Sequence, residues 1–268
     1  DYYYQYQIKG PRTGESPLAC SAGMDVVFVI DYTASMGTAI NAVKTAVASI
    51  VNTIITESGG NYRLGLVLFD EYEGGGTAAY AGQDPYIDLP ASQKIITPTT
   101  TIPGTNPQKS VFQVLTTMEV MSTDNQSDFT IQLALLNSGS GLNQMNLGRG
   151  AGAVTTGEPG DLALEEVNDN NFAGAFRSDV AKLIILFTDD EPGGYDGIAN
   201  NPAIVTRLES LRDTCINENI QLITLSSLAI LPNTSYRIIS DNAAGIYDNS
   251  LAPSVAIQAI QDICTENA

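Results

Sequence analysis

The sequence Asp31-Tyr32-Thr33-Ala34-Ser35-Met36-Gly37 decides the interpretation of this chain. It follows the apolar run Val26-Val27-Phe28-Val29-Ile30, part of a predicted strand at 25–31, and it precedes a segment with helical spacing at 36–58. The side chains at positions 31, 33 and 35 all carry oxygen. A tight turn between a strand and a helix aims such alternate side chains at one point, where they can hold a hard cation. The sequence therefore predicts a metal site at this turn.

The rest of the chain predicts an α/β fold. Continuous apolar runs indicate buried strands and helical spacing indicates helices, and the two kinds of element alternate along the chain. We expect strands at 62–69, 182–188, 220–226 and 245–247, and helices at 161–178, 200–218 and 253–266. This order is typical of a doubly wound (Rossmann-like), mostly parallel sheet with helices on both faces. Ligands bind outside the carboxyl ends of such strands, where Asp31 and Asp189 both fall.

A long irregular region interrupts this alternation. Residues 71–153 are rich in Gly, Thr, Pro and Asn and exceed the connection expected between neighbouring α/β elements, so we interpret them as an insertion. Within it, 110–121 is compatible with a strand or a helix, and 128–137 predicts an amphipathic helix of the parent fold. The main domain is expected at 24–268. Tyrosine-rich residues 1–23 are expected to form an extended segment, and a start without Met suggests a processed product or part of a longer protein.

Composition excludes several classes of function. Twelve basic and thirty acidic residues give a formal charge of −18, which repels phosphate backbones and anionic membranes, so no nucleic-acid partner is expected. No apolar run reaches the roughly 18 residues of a spanning helix, so no membrane insertion is expected. The chain has no histidine, which removes Ser-His-Asp and Cys-His nucleophile systems, His-ligated zinc and the usual general base. We therefore expect a protein that is not an enzyme.

A simpler explanation of the turn stays open at this point. Asp, Ser and Thr are the preferred residues for capping a helix, and Asp31, Thr33 and Ser35 stand directly before a predicted helix. Under this alternative the three side chains would only satisfy backbone N–H groups.

The turn resembles the metal-ion-dependent adhesion site (MIDAS) of the von Willebrand factor type A (vWA) family, written Asp-x-Ser/Thr-x-Ser. The resemblance covers roughly residues 24–70 and 154–268. In that family an Asp closing a later buried strand completes the site, and Asp189 in Leu186-Phe187-Thr188-Asp189 has this position. A third loop normally supplies a threonine, but here Glu158 of Thr156-Gly157-Glu158-Pro159-Gly160 stands in its place. Either Thr155 or Thr156 is an alternative for this ligand.

The resemblance implies a ligand set and a function. The implied metal ligands are Asp31, Thr33, Ser35, Glu158 and Asp189, and the implied ion is a divalent cation, with Mg²⁺ the family default and Ca²⁺ or Mn²⁺ open. The ion would keep an exposed position for an Asp, Glu or sugar oxygen of a protein or glycan ligand, so cell adhesion or ligand recognition is implied. The extra charge of Glu158 should retain the metal more strongly and attract an acidic ligand less.

A location and an alternative role are also expected, and the long insertion, the tyrosine-rich start and the acidic charge fit the alternative role. The expected location is extracellular, at a cell or virion surface. The alternative is a structural subunit of a surface assembly, such as a virion appendage or pilus, which contacts neighbouring subunits and in which the metal is mainly stabilising.

Asp190 and Glu191, which follow the metal-bearing strand, are interpreted as solvated loop charges.

Three cysteines permit at most one intrachain disulfide. Folds of the vWA family bring the two ends of the domain together, so the resemblance implies a bond between Cys20 and Cys264. Cys215 would then be a buried free thiol.

An enzyme alternative comes from the haloacid-dehalogenase type of phosphatase, whose Asp-x-Asp turn also follows a first buried strand. The second Asp of that turn is Thr33 here, so the leaving-group acid is missing, and the chain offers no lysine in the matching context. The sequence does not favour this alternative.

Overall fold

The computed structural model describes residues 19–75, 93–96, 109–137, 145–146, 157–194, 199, 202–226, 236–240, 246–248 and 250–266. The strands are β1 (Met24–Asp31), β2 (Tyr62–Gly75), β3 (Gln93–Ile96), β4 (Lys109–Glu119), β5 (Leu136–Asn137), β6 (Met145–Asn146), β7 (Ala181–Thr188), β8 (Ile220–Ser226) and β9 (Ile246–Asp248). The helices are α1 (Ile40–Glu57), α2 (Gln126–Leu135), α3 (Gly160–Asn168), α4 (Pro202–Asn217), α5 (Arg237–Ser240) and α6 (Pro253–Glu266). The predicted alternation of strands and helices is confirmed.

In the described residues the main sheet has seven strands, in the order β3-β4-β2-β1-β7-β8-β9. The five strands from β2 to β9 in this order pair in parallel, whereas β4 pairs antiparallel with β2, and β3 antiparallel with β4. The chain leaves β1 toward β2 on one side and later returns to β7 on the other. The strand order therefore reverses at β1, and a crevice between neighbouring loops is expected there.

Both faces of the sheet are covered, which explains the continuous apolar run of β1. Its Val26, Phe28 and Ile30 belong to a core that contains the buried faces of α1, α2 and α6. Its Val27 and Val29 belong to a second core, on the opposite face, that contains residues of α3, α4 and α5. A parallel strand buried on both faces has no polar side to alternate with.

Helix α3 is shorter than the predicted helix at 161–178. It ends at Asn168, and the chain then turns through Asn170 and Ala173, which have φ values of 59° and 60°. These left-handed conformations are incompatible with a continuing α-helix. The predicted helix boundary was therefore wrong at its carboxyl end.

Parts of the predicted insertion belong to the main sheet. Strand β2 continues to Gly75, beyond the expected end at Phe69, and pairs there with β4. The segment at 110–121 is thus mostly strand, since β4 covers Lys109–Glu119, and the helix expected at 128–137 is α2 at Gln126–Leu135. The division into a segment at 1–23, a main domain and an insertion at 71–153 stays a prediction, because most of residues 1–23 and 71–108 lie outside the described residues.

A buried ion cluster lies at the amino end of the sheet, opposite the predicted metal site. Asp25 of β1 is fully buried, and its carboxylate accepts hydrogen bonds from the Nε atoms of Arg63 and Arg177, at 2.9 Å each. The backbone N–H of Arg177 donates a third bond of 2.7 Å to this carboxylate. Although burial opposes the charged form, these bonds hold the pKa of Asp25 below its usual value. The cluster anchors the loop before β7 to the first two strands.

The disulfide implied by the resemblance is confirmed. Cys20 lies in a short 3-10 turn before β1 and is bonded to Cys264 of α6, with Cα atoms 5.1 Å apart. Cys215 is a buried free thiol on α4, where burial raises its pKa to about 11. Among the described residues, no helix combines the length and apolar character that crossing a membrane requires.

Candidate metal centre

The predicted metal ligands lie at the carboxyl ends of β1 and β7, where the strand order reverses. Asp31 is the last residue of β1, and Asp189 directly follows β7. Because β1 and β7 are paired in parallel, their ends lie side by side. The fold thus brings together two residues that are 158 positions apart.

The first loop folds back on the carboxylate of Asp31. Its Oδ1 accepts hydrogen bonds from the N–H of Thr33 at 2.9 Å and from the hydroxyl of Thr33 at 2.7 Å. The residue before the 3-10 turn at Ala34–Thr38 is Thr33 and the residue before α1 is Ala39, and neither makes a side-chain capping bond. Among the described residues, no side-chain cap is therefore found at the start of either helix, and Thr33 bonds through its hydroxyl to Asp31 and Ser35.

The loop after β7 joins the same network. Oδ2 of Asp31 accepts a hydrogen bond of 2.9 Å from the hydroxyl of Thr188 and a longer one of 3.4 Å from the N–H of Asp189. The Ser35 hydroxyl lies 2.9 Å from Oδ1 of Asp189 and 2.9 Å from the hydroxyl of Thr33. Two loops distant in sequence are thereby connected through side-chain oxygens.

This chain of oxygens has too few protons. The contacts Asp31–Thr33, Thr33–Ser35 and Ser35–Asp189 join four oxygens at 2.7, 2.9 and 2.9 Å. Each contact needs one proton, yet the two hydroxyls supply only one each. With both carboxylates ionised, one of the three contacts therefore brings two oxygen atoms together with no proton between them. Either a proton on a carboxyl group or a cation among the oxygens would relieve this repulsion.

Glu158 enters the centre from the loop before α3, and a backbone bridge fixes that loop. The N–H of Glu158 donates to the carbonyl of Glu191 at 2.7 Å, and the N–H of Gly193 donates to the carbonyl of Glu158 at 2.7 Å. The loops approach so closely that a Cβ atom on Gly193 would lie 2.3 Å from the carbonyl oxygen of Gly157. The loops that carry Glu158 and Asp189 therefore form one unit.

The three loops place three carboxylates together. One carboxylate oxygen from each of Asp31, Glu158 and Asp189 lies within 4.8 Å of the other two. Asp31 is fully buried and Glu158 is 6% exposed, whereas Asp189 is half-buried and Ser35 is exposed. The centre is thus closed on the side of Asp31 and Glu158 and accessible on the side of Ser35 and Asp189.

Burial and mutual repulsion disfavour the charged forms of these groups. Burial raises the pKa of Glu158 well above its usual range, and the charge of Asp31 raises it further. Burial, with the charge of Asp31, also raises the pKa of Asp189 to about 6. Perturbed carboxyl groups of this kind are frequent at functional sites.

The donors fit a hard divalent cation. All are carboxylate or hydroxyl oxygens, the ligand atoms that such ions take in proteins. Within the part of the chain that the structure describes, Oε2 of Glu158 is buried and has no hydrogen-bond partner, although buried polar atoms are normally satisfied. A cation among the three carboxylates would satisfy this atom and remove the proton deficit.

The structure thus brings Asp31, Thr33, Ser35, Glu158 and Asp189 to one place, and their role as ligands stays a prediction. The alternative ligands Thr155 and Thr156 lie outside the described residues.

Sequence reasoning missed several contributors to this centre. It assigned no role to Thr188, which holds Asp31, and it interpreted Glu191 as a solvated charge. Glu191 is in fact buried, because the backbone bridge to Glu158 draws its loop inward. The position of Thr188 at the end of a buried strand beside β1 was the available signal. Contacts between two loops leave no such signal.

Comparisons with known proteins agree with this architecture. No protein-family model and no curated protein matches the chain. Among solved structures, proximal thread matrix protein 1 from the mussel byssus is similar at 14% identity, with 90% of this chain and 47% of that chain covered and a TM-score of 0.50. A second structure of that protein, with a zinc-occupied MIDAS motif, gives 14% identity, coverage of 92% and 49%, and a TM-score of 0.51. At this identity the likeness shows the fold alone.

The chain spans about half the length of the mussel protein structures that it matches. Manganese-loaded TRAP protein from Plasmodium vivax overlaps at 15% identity, with 91% of this chain and 74% of that chain covered and a TM-score of 0.48.

Proposed function

We propose that this chain, which has the fold of a von Willebrand factor A domain, is a metal-dependent adhesion or ligand-recognition module. A divalent cation at the carboxyl ends of β1 and β7 would bind a protein or glycan ligand. The observation that carries the proposal is the convergence of Asp31, Glu158 and Asp189, whose carboxylate oxygens lie within 4.8 Å of one another. The proton-deficient contacts of Thr33 and Ser35 support it independently.

The residues of the centre divide into an inner and an outer set. Asp31 and Glu158 are buried, so they would hold the ion from within, and Thr188 keeps the Asp31 carboxylate in place through its 2.9 Å hydrogen bond. Ser35 and Asp189 lie on the accessible side, where a ligand would approach. When bound, the cation supplies an exposed coordination position that a ligand oxygen fills.

The proposed ion is Mg²⁺, with Ca²⁺ and Mn²⁺ as further candidates, because hard oxygen donors suit all three. The zinc-occupied MIDAS motif of the mussel protein supports a divalent cation more generally. Its zinc does not identify the ion of this chain, since oxygen sites of one geometry accept several divalent metals.

Binding rather than catalysis is proposed, together with an extracellular location. The absence of histidine supports the first, because the usual neutral-pH base is missing. The disulfide between Cys20 and Cys264 supports the second, since disulfides persist in oxidising compartments. The formal charge of −18 argues against a nucleic-acid partner.

A structural subunit of a surface assembly is the second candidate. The neighbour that favours it is named as a matrix protein of the mussel byssus thread. In this role the metal would stabilise the domain and would not contact a partner.

One experiment separates the two candidates. Mn²⁺-loaded protein is examined by water-proton relaxation, which reports exchanging water on the bound ion. Recognition predicts exchanging water and its loss in Asp189→Asn, whereas the matched variant Asp190→Asn should retain it. A bound ion that raises the melting temperature but carries no exchanging water would favour the structural candidate. Absence of Mn²⁺ binding would contradict both.

A further inference from the structure

The charge balance of the centre bears on the kind of ligand that it can take. Asp31, Glu158 and Asp189 bring three carboxylates together, so a divalent cation leaves one negative charge in excess. In the described part of the chain, no Lys or Arg forms an ion pair with these groups. Instead, Arg63, Arg177, Lys182, Arg207 and Arg212 form ion pairs with other acidic residues.

The excess charge is poorly screened. Glu158 is 6% exposed, and the buried Asp31 lies beside it, so little water separates their charges from the ion. The half-buried Asp190 follows Asp189 directly and adds charge of the same sign. Coulomb interactions over a few ångströms are much stronger in such surroundings than in bulk water.

We propose that Glu158 selects the ligand class of the centre: a neutral oxygen donor, such as a hydroxyl or an amide carbonyl, is bound in preference to a carboxylate. The inference rests on the proposed function, since it concerns the exposed position of the bound cation. A neutral donor completes the coordination without adding charge. A carboxylate would bring a second negative charge in excess to a centre that already has one.

A helix terminus offsets part of this charge, but it is the same in the wild-type protein and in Glu158→Gln, the two proteins to be compared. Helix α3 begins at Gly160, two residues after Glu158, and its amino end carries a partial positive charge of about one half. Replacing Glu158 with Gln keeps this helix and the length of the side chain while it removes one full charge. Any difference between the two proteins therefore reports the charge at position 158.

The partner predicted by this chemistry is one that offers the ion a neutral oxygen atom, such as a hydroxyl or an amide carbonyl oxygen. The accessible side at Ser35 and Asp189 is where such an oxygen would enter. A partner that offers Asp or Glu would bind better to a protein without the Glu158 charge.

The test uses acetate and acetamide as probes, because they have almost the same shape and differ in charge. Each is titrated into Mn²⁺-loaded protein while water-proton relaxation reports displacement of the metal-bound water. In the wild-type protein, acetamide should displace water at a concentration no higher than acetate does. In Glu158→Gln, acetate should gain on the order of tenfold relative to acetamide.

A control variant separates a local charge effect from a general one. Glu165→Gln removes the same charge from α3 at a side chain that pairs with Arg207 outside the centre. It should leave the acetate-to-acetamide ratio unchanged.

The outcomes distinguish this inference from the proposed function. If the wild-type protein binds Mn²⁺ but prefers acetate, or if the ratio is the same in Glu158→Gln, the inference is overturned while the metal centre stands. If the wild-type protein does not bind Mn²⁺, the proposed function itself fails. If Glu158→Gln no longer binds Mn²⁺, the comparison of acetate and acetamide on the wild-type protein still tests the inference, and a preference for acetate would overturn it.

Discussion

Lowering the pH from 7 to 5 should weaken cation binding at the centre about tenfold, because the Asp189 carboxyl group gains a proton over this interval. A carboxyl group must lose its proton before it can ligate a metal. Burial, reinforced by the charge of Asp31, raises the pKa of Asp189 to about 6, and burial raises that of Glu158 well above its usual range. Asp189 therefore gains protons within this interval, and the raised pKa of Glu158 favours the protonated form of that group as well.

The magnitude follows from the fraction of ionised Asp189. With a pKa of about 6, roughly nine-tenths of the Asp189 groups are ionised at pH 7 and roughly one-tenth at pH 5. The apparent affinity falls in the same proportion. Protonation of Glu158 acts in the same direction, because it also removes a charged ligand. The two groups interact, so the titration belongs to the pair.

Isothermal titration calorimetry with Mn²⁺ at pH 5, 6, 7 and 8 measures this dependence. Repeating each titration in two buffers of different ionisation enthalpy counts the protons released. We expect proton release near pH 6 and a smaller release in Glu158→Gln. Equal affinity at pH 5 and pH 7, without proton release, would refute the reasoning.

The metal-free protein should show the opposite pH dependence in its stability. The folded state raises the pKa of Asp189 from 3.8 to about 6 and so binds a proton more readily than the unfolded state. This contribution to the free energy of unfolding is fully present below pH 3.8 and is lost as the pH rises through about 6. Urea unfolding in the presence of a chelator, at pH 5 and at pH 7, measures this change in the free energy of unfolding. We expect the contribution to be smaller at pH 7.

Two further predictions concern the covalent and backbone constraints. The Cys20–Cys264 bond links residues 244 positions apart, so replacing both cysteines with Ser should lower the free energy of unfolding by about 5 kcal/mol in urea titrations; unchanged stability would contradict this. Gly193→Ala should weaken Mn²⁺ binding in calorimetry, because its Cβ would meet the carbonyl of Gly157 at 2.3 Å and push the two loops apart. Gly65→Ala, crowded in the core away from the centre, should lower stability without changing the affinity; equal affinities in all three proteins would refute the positioning role.

The central sheet could be predicted because its signal is local. The run 26–30 is apolar throughout since β1 is buried on both faces, and the helical spacing of α1 reflects its contact with that sheet. The antiparallel strands β3 and β4 had no comparable signal. Their place in the sheet depends on pairing with β2 across a long connection, which local patterns do not encode.

The centre could be predicted only in part, for the same reason. Asp31, Thr33 and Ser35 stand in one turn, and Asp189 ends a recognisable strand, so spacing and the family resemblance located them. The backbone bridge that positions Glu158 depends on contacts between distant loops. Likewise, the ion cluster around Asp25 joins residues 38 and 152 positions away, and no local pattern indicated it.

Calorimetric titration of metal-stripped protein with Mg²⁺, Ca²⁺ and Mn²⁺ tests the metal centre most directly. It compares the wild-type protein with Asp31→Ala and Asp189→Ala, and with Asp213→Ala as a control on the exposed surface of α4. The proposed function predicts one stoichiometric site in the wild-type and control proteins that is lost in both variants of the centre. Absence of binding in a folded wild-type protein, or equal binding in all four proteins, would contradict it.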